Sequence, residues 1–541
     1  MPTTSAHLAS ILVTVGLAPV AQLAAQQPDL TAIADTVFHE WNSTHTPGCA
    51  VGIERNGDVL LERGYGMADL ETGTPITPHT ILESGSVAKQ FTAAAVLLLA
   101  QDGKLSLDDT VQKYLPELPR YDRPMTIRHL LTHTSGLRDW SSLVPLQGWP
   151  RGERAHTQAY LLDLAFHQKA INYPVGDYYS YTNTGFALAE AIVERVSGES
   201  FQQFTHDRIF APLGMTHTQW RDDFTRLVPG RAQAYARRDG AWHLDMPFED
   251  VVGPGGLLST VGDWLIWNDA LTKKTLGAAL VDTMTNRMVL TSGRRIDYGK
   301  GLFIDDYRGV HEVYHSGSTA GYSTFLVRWP DRGLSIAILC NAAGTPAGRY
   351  AHQLADRLIT DFPPAPPLDT TKVDAAQFAR FIGMYRNERT HEPLHIEAAT
   401  ETRLRALPDD WYWYPNGSRW HFDLEAKGTP STLRIAQSDG DTVRYAYAGL
   451  VPWRPTAQQL QTFVGRYYSG ELSTAYEVRV AQDTLTISMR AGLVEKLIPT
   501  YPDGFEMHGV AVWFTRDRKA RVTAMHFGES RVWDLVVPRS F

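Results

Sequence analysis

The chain has 541 residues, 43% hydrophobic, 11% aromatic and 20% charged, which is ordinary globular composition and excludes a disordered or fibrous chain. Its 51 basic residues face 59 acidic ones, a formal charge of −8, with no long Lys/Arg run, so no nucleic-acid partner is expected. The two cysteines, Cys49 and Cys340, exclude a disulfide scaffold and a four-thiolate zinc site, and the length predicts two to four domains.

Leu8 to Val20 is apolar but broken by Pro19 and too short for a comfortable membrane span. Followed by small residues up to Ala24-Ala25, it reads as a signal peptide over residues 1–25, although its first residues lack Lys and Arg. Export to the periplasm or the medium is expected. Thr31 to Trp41 has helical spacing of apolar residues. Pro47 to Gly64 reads as a hairpin turning at Asn56-Gly57, and Val87 to Gln101 as a buried helix. A second hairpin runs from Ser323 to Leu339, turning at Pro330-Asp-Arg-Gly333. Strands at both ends with helices between them predict an α+β domain over residues 26–362, one antiparallel sheet flanked by helices. A Pro-rich linker follows at 363–372. Beyond it helical periodicity nearly vanishes. Phe381-Ile-Gly-Met-Tyr385 is echoed by Phe463-Val-Gly-Arg-Tyr467, which predicts two small antiparallel β-barrels at 373–455 and 456–541.

Ser86-Val-Ala-Lys89 opens the apolar helix. A three-residue spacing puts hydroxyl and amine on one helical face, at the end where backbone N–H groups favour a developing anion. A partly buried Lys there has a lowered pKa and is suited to act as a base. Ser-x-x-Lys alone is a weak signal. It gains force from Tyr181-Thr-Asn183 before another helix and from His315-Ser-Gly317 at the second hairpin.

With these motifs in this order, together with Ile127-Arg-His-Leu-Leu-Thr-His-Thr-Ser-Gly-Leu137 and Gly255-Gly-Leu-Leu-Ser-Thr-Val-Gly-Asp263, residues 30–345 resemble the serine β-lactamase and penicillin-binding-protein superfamily, in its class C-like branch. The layout is similar to that of D-aminopeptidases and of the hydrolase of linearised microcystin. The resemblance implies a serine hydrolase working through an acyl-enzyme, with Ser86 as nucleophile and Lys89 and Tyr181 as base and proton shuttle. It implies Asn183, His315, Gly317 and Ser318 as substrate-binding positions, the backbone N–H groups of Ser86 and Ser318 forming an oxyanion hole. It also implies no cofactor, lipocalin-like C-terminal barrels, and a loop from one of them entering the active site. The expected substrate is a small molecule or a peptide, most simply a linear peptide with D- or non-proteinogenic residues. An esterase or β-lactamase with the same residues is the alternative, and a non-catalytic penicillin-binding sensor is one of another class. His315 stands where β-lactamases usually carry Lys, and a neutral imidazole is a poorer clamp for a β-lactam carboxylate than an ammonium.

Other features read more plainly. His311-Glu-Val-Tyr-His315 fits the zinc-protease pattern H-E-x-x-H, but that pattern needs a helix and the flanks are strand and turn chemistry, so no metal is expected. His129 and His133 are read as structural. Trp411-Tyr-Trp-Tyr414 is read as strand alternation. Cys49 and Cys340, on the first and last strands of the sheet, leave both a disulfide and two buried thiols open.

Overall fold

In the computed structural model, which describes Met1 and residues 29–364, 370–426, 428–437 and 440–540, Asn56 and Gly57 take left-handed backbone, φ 56° and 90°. They turn Cys49–Arg55 onto Asp58–Tyr65, the two-residue hairpin that an Asn-Gly pair favours. The expected leader, Met1 apart, and the centre of the Pro-rich linker lie outside the described residues. Among the described residues no helix is long and apolar enough to cross a membrane.

The hairpin forms one side of a six-stranded antiparallel sheet in the order Phe303–Tyr307, Val310–Thr319, Tyr322–Trp329, Leu334–Cys340, Cys49–Arg55, Asp58–Tyr65. The strands from the two ends of this domain are therefore neighbours. Cys49 lies directly opposite Cys340 and is joined to it by a disulfide. Closing a loop 291 residues long restricts the unfolded chain by about 6 kcal/mol in the chain-entropy account.

Helices cover both faces of the sheet, so its central strands Tyr322–Trp329 and Leu334–Cys340 are buried along their whole length instead of alternating between buried and exposed residues. Val51, Ile53, Val327 and Ile338 pack with the helices Leu30–Val37 and Ala347–Leu358. Ala50, Leu326, Ala337 and Leu339 join the larger core with Lys89–Gln101, Asn183–Ser197 and Val261–Thr272. Lys89–Gln101 is buried from Lys89 to Leu99, which is why its sequence lacks a polar face.

Two antiparallel units follow the linker. Gly465–Ser469 through Val532–Ser540 form a closed eight-stranded barrel. The first unit is an eight-stranded sheet ending at Thr371–Lys372 on one side and Pro393–Ile396 on the other. Among the described residues these two end strands do not pair, so closure is not completed there. One is only two exposed residues long, and the other begins with a proline, which has no N–H to donate.

The five-residue echo has a physical basis. Tyr385 donates to Phe381 O at 2.9 Å and Tyr467 to Phe463 O at 2.7 Å. The intervening Gly383 and Gly465 have φ of 149° and 157°, and a Cβ on Gly383 would lie 2.6 Å from the Tyr447 ring. Tyr412 is buried while Trp411 and Trp413 are only half-buried, the alternation of a strand.

The closed barrel shares a continuous apolar cluster with the N-terminal half: Trp140, Leu143, Val144 and Leu146 pack with Leu460, Phe463, Tyr476 and Phe527. Tyr476 donates to Leu146 O at 2.7 Å, and the buried Arg138 reaches Glu471 and Asp534 O. A chain ending at Asp361 exposes this apolar face, so it should aggregate or melt well below the full chain. A soluble fragment that melts at the full-length temperature would show that docking adds nothing.

Candidate active site

Two glycines bring the Ser-x-x-Lys segment against the sheet. Gly85 has φ 51°, and a Cβ there would sit 2.5 Å from Ser318 N; a Cβ on Gly317 would sit 2.0 Å from Ser84 O. Bare backbone on both sides lets the two strips touch, and Thr324 Oγ1 fastens them by donating to Ser84 O at 2.7 Å. Ser86 occupies the 3-10 turn Gly85–Ala88 that leads into Lys89–Gln101. Its main chain therefore lies beside the Gly317–Ser318 main chain, at the mouth of a cleft of about 880 Å³.

Lys89 is fully buried. Its Nζ lies 3.0 Å from Ser86 Oγ, 2.8 Å from Asn183 Oδ1 and 2.8 Å from Pro254 O. Burial holds its pKa well below the ordinary lysine value; nearby Asp139 opposes that shift, and Arg531 and Arg151 add to it. Asn183 Oδ1 and Pro254 O can only accept, so a neutral amine directs its two hydrogens to them and turns its lone pair toward the Ser86 hydroxyl.

The orientation of Asn183 is itself fixed. Asp139 Oδ2 accepts from Asn183 N at 2.7 Å and from Asn183 Nδ2 at 3.0 Å, leaving Oδ1 for the lysine. Asp139 Oδ1 caps the helix Trp140–Leu146 by accepting from Ser141 N at 2.8 Å and Ser141 Oγ at 2.6 Å.

The Tyr181 ring lies 4.9 Å from Lys89 Nζ. Its hydroxyl is buried without a hydrogen bond of normal geometry. Burial raises its pKa and the neighbouring Ser86 hydroxyl opposes that rise, so the phenol keeps its proton. His315 also reaches the cleft, but both its nitrogens are engaged: Nδ1 is 2.6 Å from Ser316 O and Nε2 is 2.9 Å from the Tyr298 hydroxyl. The carbonyl can only accept, so Nδ1 carries the hydrogen and Tyr298 donates to Nε2. Burial, with Lys89 nearby, brings the His315 pKa down to about 3. The imidazole is neutral and offers no free donor to a carboxylate.

His133 Nδ1 accepts from Thr182 N at 3.1 Å, and His129 Nδ1 accepts from Thr126 N at 3.1 Å in a capping box. Both bonds are structural. His311 and His315 lie on the strand Val310–Thr319, where four residues of extended chain separate them by about 13 Å. Glu312, between them, points to His352 at 3.0 Å.

Sequence reasoning missed Asp139, Pro254 O and the cleft's charged rim. Arg151 is paired with Glu249 and donates to Thr319 Oγ1 at 3.1 Å. Both C-terminal units reach the cleft, one through Gln437 and the other through Arg531. Arg531 lies in the turn between Val522–Glu529 and Val532–Ser540. Its carbonyl accepts from Asp139 N at 3.3 Å and from Asn172 Nδ2 at 3.0 Å, and Trp533 N donates to Asn172 Oδ1 at 3.0 Å. The barrel loop expected in the site is this turn. Asp139, two residues beyond the phrase ending at Leu137, and Pro254, just before the phrase beginning at Gly255, were within reach of the sequence pattern.

Burial keeps several histidines neutral: His315 as above, His133 well below its ordinary value, and His129 and His391 down to about 4. The unfolded chain protonates them below about pH 6.5 while the folded chain does not. The stability they contribute is thus complete above that pH and is lost as pH falls toward the folded values. His391→Phe keeps a ring against Trp513, stacked at 4.0 Å, and removes one such group. Its Tm should fall less between pH 7 and pH 5 than that of the parent; an equal fall would refute the assignment.

The family model for beta-lactamase matches residues 22–360. The chain is 27% identical over 405 residues to penicillin-binding protein 4* of Bacillus subtilis (strain 168), across 69% of this chain and 88% of that protein. It is 24% identical over 530 residues to a D-aminopeptidase of Brucella anthropi, across 92% and 96%. Its fold is similar to that of the octameric penicillin-binding protein homologue from Pyrococcus abyssi, with TM-score 0.56 and 20% identity over 94% of this chain and 99% of that one. The D-amino acid amidase of Ochrobactrum anthropi SV3 matches 61% of this chain and 99% of its own, with TM-score 0.53 and 22% identity. With the family model spanning more than half of its length, the chain belongs to the beta-lactamase family, and it is a serine hydrolase.

Proposed function

We propose that this hydrolase is an exported peptidase or amidase that cleaves linear peptides containing D- or non-proteinogenic residues, linearised microcystin being one example, through an acyl-enzyme on Ser86. One observation carries the reading: a fully buried Lys89 whose two obligate acceptors leave its lone pair to Ser86. Lys89 takes the Ser86 proton as Oγ attacks the substrate carbonyl. The Ser86 and Ser318 N–H groups receive the oxyanion where Gly317 admits close approach. Tyr181, protonated and without another partner, passes a proton to the leaving amine, and Asn183 holds the substrate amide. Water then attacks the acyl-enzyme by the reverse proton path.

One relative, matched over 92% of this chain, is a D-aminopeptidase, which favours an amide substrate. Neutral His315 argues against a β-lactam carboxylate as the preferred ligand. The Cys49–Cys340 bond suits an oxidising compartment and supports export. Turnover of D-amino-acid amides, linear D-residue peptides, short esters and nitrocefin side by side tests the reading; ester or nitrocefin turnover without amide turnover would replace it.

Ser86→Ala should lower kcat by several orders of magnitude without unfolding the chain. Lys89→Arg, which puts a permanent cation there that cannot give up its proton, should be equally impaired. The acid limb of kcat/KM follows Lys89 deprotonation. Removing the Asp139 charge lowers the lysine pKa, so Asp139→Asn should move that limb to lower pH. Removing the Arg531 charge raises it, so Arg531→Gln should move the limb to higher pH. Limbs that stay in place in both variants would mean that Lys89 is not the base. EDTA should leave turnover unchanged; a loss that zinc restores would revive metal chemistry.

A further inference from the structure

Among the described residues three basic side chains reach the cleft or its floor, and two are spent. Lys89 has its directions filled by Ser86, Asn183 and Pro254. Arg151 is bound by Glu249 and Thr319. Arg531 differs. Among the described residues its guanidinium makes no hydrogen bond, and the nearest acid oxygen is Asp139 Oδ2 at 3.6 Å, beyond hydrogen-bond reach. That oxygen already accepts two bonds from Asn183, and its partner oxygen two from Ser141. The guanidinium lies 5.0 Å over the Tyr181 ring, which favours a cation on its face, and its side chain is 39% exposed. The backbone bonds that hold the turn do not use this side chain.

We propose that Arg531 is an anion-recognising residue of the cleft, so that the preferred substrates carry a carboxylate near the scissile carbonyl. This rests on the hydrolase reading and adds the charge of the substrate to it. A guanidinium left facing water matches a carboxylate with two parallel N–H donors. The reverse preference, for a free ammonium, needs an available acid, and Asp139 and Glu249 are both occupied. The carboxylate has two sources, an acidic side chain or a chain end.

The test uses the full chain with Ser86→Ala and three probes at low ionic strength: N-acetyl-D-isoglutamine, with only the side-chain acid; N-acetyl-D-glutamine, with only the terminal acid; and their neutral diamide. By calorimetry, one acid should bind about 10- to 100-fold more tightly than the diamide, the range of a charge-assisted bond. Which acid binds identifies the source. Arg531→Gln should erase the difference and Arg531→Lys should retain part of it. Equal binding of acid and diamide, no binding of either acid, or a preference that survives Arg531→Gln overturns the proposal. The hydrolase reading is judged separately, by turnover with Ser86 intact.

Discussion

An amine taken out of water must find acceptors or is driven toward its neutral form, and both act on Lys89. Full burial makes the ammonium costly, while Asn183 Oδ1 and Pro254 O give two hydrogens fixed destinations. What remains is a lone pair with one direction open, toward Ser86. The surrounding structure serves that geometry. Thr92 Oγ1 donates to Gly253 O at 2.7 Å, anchoring the segment that presents Pro254 O. Asp139 keeps the Asn183 amide from flipping, because a carboxylate accepts from Nδ2 and would repel Oδ1.

Asp139 also connects parts that are remote in sequence. One side chain caps a helix, orients Asn183 and biases the Lys89 pKa, and its own N–H donates to Arg531 O in the closed barrel. A shift of the barrel turn therefore reaches the lysine through one carboxylate and one amide. The apolar cluster shared by barrel and catalytic half keeps that turn in place.

The sequence made the local parts legible. Asn56-Gly57, the apolar run after Lys89 and the Pro-rich linker each follow from backbone chemistry that acts over a few residues. Ser86, Lys89, Tyr181 and Asn183 could be read because two of them share one helix turn and two bracket the start of another. What stayed hidden depends on meetings between distant segments. Nothing in Glu529-Ser-Arg-Val532 marks its arginine as a cleft residue, since only docking of the barrel puts it there. Whether the first C-terminal unit closes was hidden too, because closure turns on short end strands and on a proline at the start of one of them. The cysteine pair lay between: its strands could be paired from the sequence, but the register that sets Cys49 opposite Cys340 could not.

The barrel is well suited to hold a lone cation in a cleft. A side chain of arginine length loses much rotamer freedom when fixed, and a guanidinium on a mobile loop would find the nearest acid. Here the turn belongs to a closed barrel, whose strands have no free edge to fray. Its carbonyl is held by Asp139 and Asn172, and the Tyr181 face restricts the head group. Asp139, the acid close enough to compete, is already saturated. Among the described residues the guanidinium is thus held in place without a hydrogen bond, and the proposed substrate carboxylate would supply its acceptors.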